Sequence, residues 1–388
     1  MANTFKTLLS SDIVNTRNFL HESVPITGTI VSGTYNNAAD GSEYNIKNYA
    51  HGQFQSVYDY PYLSSSANHL FDITVGYSSR CTTEDFNTET ALATADGQKT
   101  KKNNMYDQMA QLLNGYDESG SIKAFTNPVT GLSMKQCIFL PFSRLLVKDE
   151  IKKGSFSLSL YTTGSANNAA EFAGAGPIGA IDGSFSAVTF SDSSGSSGYY
   201  TDSPAGEYGV LFNDVTNDDA GTDVNTAANG LLFYQAGIAV LTASIFNSGS
   251  CGNNNGANLS GSIGEASSVQ FAGGRVTDHM FMSGTIENFA DAIRHRFKNV
   301  SFNNTTELNS TIYFCRANSN EFNYSSNPTY LSESEIRVKT NPSDQPISYL
   351  TTVGLYGADN ELLAVAKLSE PLKKTNTNEL TLRVRLDY

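Results

Sequence analysis

Leu380-Thr381-Leu382-Arg383-Val384-Arg385-Leu386-Asp387-Tyr388 sets an apolar side chain at every second position, with Thr, Arg, Arg and Asp between them. Successive side chains of a strand point to opposite faces, so this period of two predicts a β-strand with one apolar and one polar face. Fully burying such side chains is worth about 1.5–3 kcal/mol each, which predicts a docked strand rather than a frayed end. Two pairings satisfy it: completion of a sheet within the chain, or donation to a neighbouring subunit's sheet.

Upstream, the sequence continues in the same manner. Thr311–Cys315, Ser348–Tyr356 and Leu362–Leu368 are strand-like, and Leu355-Tyr356-Gly357-Ala358-Asp359-Asn360-Glu361-Leu362 carries the Gly and Asn of a hairpin turn. Before them Ile286, Phe289, Ala290, Ile293 and Phe297 recur at helical spacing behind Thr285 as N-cap, predicting a helix over 286–297. Nearer the N-terminus, Met105, Met109, Leu112 and Leu113 form one apolar stripe behind Lys99, Lys101 and Lys102, and Gly115 follows. This predicts a core-facing helix over Gln98–Leu113. The aromatic stretch Gln53–Leu63, limited by Pro61, fits an edge strand or an ordered extended segment. Cys137–Phe142, Phe156–Tyr161, Tyr208–Phe212 and Leu231–Leu241 are strand-like, whereas Ser191–Gly198 and Asn247–Asn258 have the composition of linkers.

The expected fold is mainly β with a few helices, built as β-sandwich-like bodies with long polar loops; an α+β arrangement is the alternative. Composition suggests three regions: a β-rich one over 1–161 with its helix near 98–113, a Gly, Ser and Asn-rich one of strands and loops over 162–268, and an α+β one over 269–388. The 388 residues suffice to bury a large core without staples. The excess of 38 Asp and Glu over 25 Lys and Arg opposes a broad nucleic-acid or anionic-membrane surface. No run approaches the ~20 apolar residues of a membrane helix, and the first residues lack a signal-peptide core, so synthesis is expected in the cytoplasm. Cys81, Cys137, Cys251 and Cys315 are too dispersed for a zinc or redox motif and read as buried thiols.

Catalytic motifs are absent from the pattern. Gly174-Ala175-Gly176-Pro177-Ile178-Gly179 matches G-x-G-x-x-G but lacks the strand before it and the helix after it that a dinucleotide site needs. His21, His51, His69, His279 and His295 form no helical zinc pair, although His51 and His69 bracket the aromatic stretch and could converge on Asp59 or Asp72. The loop Asn213–Asp223 is rich in oxygen ligands but out of register for a calcium-binding EF-hand, and reads as a solvated acidic loop. Asp149-Glu150 reads as exposed turn charge, and Arg294-His295-Arg296-Phe297-Lys298 as cations opposing a helix dipole, with a salt bridge to a neighbouring subunit as the alternative. No catalytic, cofactor-binding or metal-ligating residue is therefore expected.

Three groups of residues carry a family resemblance. Asn299–Phe302, Leu308–Ala317 and Glu321–Tyr330 resemble virion structural proteins of marine contractile-tailed bacteriophages. Leu350–Tyr356 with Glu361–Leu368 is similar to a hairpin of phage tail-fibre and baseplate proteins, and Val24–Tyr77, especially Phe54–Leu63, resembles the same proteins. The resemblance covers both ends and little of the middle. It implies a multi-copy, non-enzymatic virion component of the tail or baseplate, with neck, collar or fibre attachment as alternatives. Its implied partners are copies of itself and other virion proteins, with no nucleic acid, membrane, small-molecule ligand or cofactor; its place is the virion, after synthesis in the host cytoplasm. From a different class, the 11% aromatic content suits a carbohydrate-binding adhesin of the host surface, although the chain has no Trp. A phage-associated hydrolase would need a carboxylate constellation that the spacing does not offer.

Overall fold

The structure, a computed structural model, describes residues 5–31, 34–35, 43–79, 97–129, 131–161, 187–213, 228–242, 285–294, 297–323, 331–332, 335–336, 343 and 345–388. The chain is mainly β, as its patterning predicts. It divides into two compact units, a large one over residues 20–306 and a small one formed by residues 1–19 with 307–388. Of the Gly, Ser and Asn-rich region 162–268, only 187–213 and 228–242 are described, and both are largely strand.

The strands of the large unit are β1 (Ile13–Thr27, shared with the small unit), β2 (Ile46–Asn48), β3 (Gln55–Tyr58), β4 (His69–Tyr77), β5 (Gln136–Pro141), β6 (Glu150–Ile151), β7 (Ser157–Tyr161), β8 (Ala187–Ser191), β9 (Tyr200–Ser203), β10 (Gly206–Asn213), β11 (Ala228–Phe233) and β12 (Ile238–Thr242). The first half of β13 (Phe297–Ala317) completes it. Its described helices are α1 (Gly28–Val31), α2 (Gly97–Leu113), α3 (Arg144–Val147) and α4 (Ile286–Arg294). The main sheet runs β13-β7-β8-β10-β11-β12-β5-β4-β3-β2.

The central strands are apolar without alternation because both of their faces are buried. Ile138, Leu140, Leu211, Leu232, Ala239 and Leu241 enter one core, and the intervening Cys137, Phe139, Val210, Leu231, Phe233 and Val240 enter another. In the first core Phe71 of β4 stacks on Phe297 of β13, ring centroids 5.3 Å apart, although six strands separate them in the sheet order. The sheet therefore curls over a shared interior, with Phe142, Phe156 and Phe302 in mutual ring contact and α4 inserting Ile286, Phe289, Ala290 and Ile293. α2 closes the second core with Tyr106, Ala110 and Leu113. It sits so close to β4 that a Cβ on Gly76 would lie 2.7 Å from the Tyr106 nitrogen.

Several expectations are corrected in detail. The second helix ends at Arg294, and Phe297 instead opens β13, still fully buried. In the first helix Leu112 is exposed and Lys102 is buried, because Tyr106 and Ala110 rather than Leu112 complete the inward stripe. The run Leu231–Leu241 is two strands, turned at Tyr234-Gln235-Ala236-Gly237 where Gly237 takes φ +66° and donates its N–H to the Phe233 carbonyl. Gln55–Tyr58 is no edge strand, since β2 pairs beyond it; the strand ends before Pro61, which costs no ladder bond in the following turn.

The small unit holds the start of β1, the second half of β13, β14 (Leu331–Ser332), β15 (Glu335–Ile336), β16 (Ile347–Tyr356), β17 (Leu362–Thr375) and β18 (Leu380–Asp387). β18 pairs antiparallel with β13 of its own chain, from Ser310 opposite Asp387 to Ala317 opposite Leu380, so of the two pairings the intrachain one is formed. β16 and β17 form the expected hairpin, closed by the Gly357 N–H on the Glu361 carbonyl, with Asn360 at φ 61°.

Candidate functional site

Among the described residues no three His, Cys, Asp or Glu side chains are placed to share a metal ion. No helix there is long and apolar enough to cross a membrane. Gly174–Gly179, residues 214–223 of the acidic loop, Cys81, Cys251, His279, His295 and Arg296 lie outside the described residues.

The aromatic stretch does bring together one of the expected pairs. Register places Ser56 opposite Asp72 and Tyr58 opposite His69, and Asp72 Oδ1 lies 2.5 Å from Ser56 Oγ and 2.8 Å from His69 Nε2. A serine nucleophile needs its base on the hydroxyl, whereas here both side chains address the same carboxylate oxygen and Ser56 is buried. The cluster is thus a polar clasp between β3 and β4. His51 does not join it: its Nδ1 accepts the Gln53 N–H at 3.1 Å and its ring stacks on Tyr49. Asp59 holds the following turn by accepting the backbone N–H and side-chain amide of Asn68 at 2.6 and 2.9 Å. Burial, then Tyr49, then the charge of Asp72 push the Tyr58 hydroxyl above its usual value.

Besides Lys102, two further buried charged side chains lie elsewhere in the large unit. Arg294 closes α4 as a last-turn cation, but it is buried and paired with Glu43, with further bonds to Gln55 Oε1 and the Val31 carbonyl. It is an internal tie rather than part of an exposed basic surface. Asp192, in the stretch of linker composition, accepts the N–H groups of Gly154 and Phe156 at 2.7 and 2.9 Å and fixes the turn before β9. Burial raises its carboxyl to about 6 despite those bonds. Sequence reasoning missed it; the one local signal is an Asp followed by Ser-Ser-Gly, the chemistry of a turn. Asp149 donates its N–H to the Thr305 carbonyl and Glu150 pairs with the same residue, so this acidic pair belongs to the β6 ladder. A pocket of about 170 Å³, lined by Ser78, Ser79, Tyr106, Asp107, Ile122 and Ala124, is smaller than the ~300–1,000 Å³ of ordinary ligand sites.

The small unit presents a different surface. Among its described residues the only buried apolar side chains are Ala317 and Val384; every other described one lies in the large unit. In β18 the alternation survives as half-buried Leu380, Leu382 and Leu386, and Tyr388 is 76% exposed. Along the hairpin the only buried residues are Ser348 and Lys374, both polar. Lys374 Nζ is satisfied by Asn323 Oδ1 and the carbonyls of Ser319 and Thr375 at 2.7–3.2 Å. Other ties are equally polar: Arg316 with Asp12 at 3.0 Å, Lys6 with Glu321 at 2.5 Å, Arg17 with Glu307, and Ser310 with Asp387 at 2.6 Å. Ser310 and then Arg385 hold the Asp387 carboxyl below its usual value. Cys315 is only half buried rather than a core thiol, and burial followed by the charge of Asp12 raises its thiol.

At the hairpin end Tyr356, Leu362, Leu363 and Val365 are between 46% and 70% exposed, and Phe5 packs its ring on Tyr356 at 4.6 Å while remaining 46% exposed itself. These apolar side chains are collected on extended backbone and remain exposed. The charges of the two units also differ. The large unit has 15 Lys and Arg against 27 Asp and Glu, net −12, and the small unit 10 against 11, net −1. Only the second surface can approach another acidic molecule without strong repulsion. The chain matches no protein-family model, no curated protein and no solved structure.

Proposed function

We propose that the chain is a non-enzymatic structural component of a tailed-phage virion, in the tail or baseplate, and that it acts through subunit interfaces. The observation that carries the assembly reading is the small unit's uncovered apolar surface: strands held by polar ties, with Tyr356, Leu362, Leu363 and Val365 open to solvent. Exposed strands with such side chains are costly unless something covers them, and obligate interfaces bury about 2,000 Å² or more. Placement in a tail or baseplate comes from the resemblance of Asn299–Ala317, Leu350–Leu368 and Val24–Tyr77 to phage virion proteins; a neck, collar or fibre-attachment position would use the same surface.

The test joins two measurements, the mass of the purified chain by light scattering over a concentration series and mass spectrometry of purified particles. The reading expects concentration-dependent association and many copies per particle. A chain that stays monomeric at every concentration and is missing from particles contradicts it.

A further inference from the structure

The outward face of β2, β3 and β4 carries a polar row between two groups of rings. Lys47 stands opposite Ser56, and Ser56 opposite Asp72, while the alternate positions Ile46, Val57 and Phe71 are buried in the core. On one side of the row Tyr49, His51 and Phe54 are in mutual ring contact, Tyr49 and His51 lying 9° from parallel with centroids 5.1 Å apart. Lys47 Nζ lies 4.8 Å over the Tyr49 ring. On the other side Tyr58 meets both Tyr62 and His69. Ser56 Oγ joins the two sides, 3.4 Å from Tyr49 Oη and 2.5 Å from Asp72 Oδ1. Asp72 Oδ2 accepts no hydrogen bond among the described residues. The Asp72 and His69 side chains are 26% and 32% exposed.

We propose that this face binds a neutral carbohydrate. A pyranose offers C–H groups on its faces and hydroxyls around its rim, which matches aromatic faces beside a carboxylate acceptor and an ammonium donor. Asp72 Oδ2 accepts sugar hydroxyls, Lys47 donates to a ring or hydroxyl oxygen, and the His51 and Tyr58 rings carry the C–H faces, with Tyr49 held between His51 and Lys47 as their support. The net charge of −12 on residues 20–306 selects neutral over acidic saccharides. Within the row itself Lys47 and Asp72 carry opposite charges, so the row has no net charge. The site lies wholly in the large unit and does not rest on the assembly reading.

The test is an array of neutral hexose and N-acetylhexosamine oligosaccharides probed with the full chain. Each oligosaccharide retained is then titrated by tyrosine fluorescence, which is free of Trp background because the chain has no Trp. Asp72→Asn, which preserves shape, should weaken binding at least about tenfold. His51→Ala should also weaken it, and since His51 is exposed that variant keeps the fold. Tyr199→Ala, at a ring outside this face, should bind as the parent does. Retention of no neutral oligosaccharide, retention of acidic ones alone, or binding unchanged by both Asp72→Asn and His51→Ala overturns the proposal.

Discussion

Both units of this chain are built from strands whose apolar residues recur in strand patterns, yet those residues meet different surroundings. In the large unit Phe139 and Leu140 are neighbours on one strand and both are fully buried, each in its own core. In the small unit Leu363 and Val365 are also strand residues, and they are 70% and 52% exposed. Strand-prone apolar residues, alternating or in an unbroken run, thus specify the backbone state, while burial depends on what is available to cover the face. The large unit supplies its own cover by curling its sheet and adding α2 and α4. The small unit ties its strands with ion pairs and hydroxyl bonds, interactions individually worth about 0–1.5 kcal/mol, and leaves its apolar face open.

Substitution of a core ring tests the first half of that contrast with the largest effect. Phe71 is fully buried and in ring contact with Phe142 and Phe297, so Phe71→Ala should cost about 3–5 kcal/mol in urea unfolding. A loss below about 1 kcal/mol would mean that the large unit is not the stable body described.

A second test uses pH. The Asp192 carboxyl is raised from 3.8 to about 6 in the folded chain, so the folded state binds this proton more tightly than the unfolded state. Its contribution is fully present below the unfolded value and is lost as pH rises through the folded one, about 3 kcal/mol in all. Asp192→Asn cannot titrate. The stability difference between the parent and this variant, measured by urea unfolding from pH 3.5 to 7, should therefore move against the parent across that window. A constant difference would remove Asp192 as the titrating group.

The smallest expected effect on stability comes from the open face. Leu363→Ser should change unfolding by no more than about 0.5 kcal/mol, since a surface substitution away from packed contacts seldom does more. The same variant should lower the mass reached at high concentration in light scattering. A core-sized loss of stability would show that Leu363 is packed, and would erase the contrast between the units.

The elements were more legible than their surroundings. Ile286, Phe289, Ala290 and Ile293 announced a helix because helical spacing is independent of what the stripe meets, and all four are buried. Gly357 and Asn360 announced the hairpin turn through local chemistry. The turn at Tyr234–Gly237 stayed hidden because an unbroken apolar run, buried on both faces, has no period to interrupt. Arg294 read as a dipole-capping surface cation because its partner Glu43 is remote in sequence. The meeting of Asp72 with Ser56 and His69 needed the register of β3 on β4, which alternation leaves open. For Asp192, short polar neighbours disguised a buried turn as a linker.

Hydrogen exchange of backbone amides, followed by mass spectrometry on the dilute chain and again in its associated form, addresses the contrast most directly. Amides of β10, β11 and β12 should exchange only through global unfolding in both forms. Those of the β16–β17 hairpin should exchange orders of magnitude faster in the dilute chain and become protected on association. Equal protection of hairpin and central strands in the dilute monomer would contradict the claim that the small unit is completed by its partners.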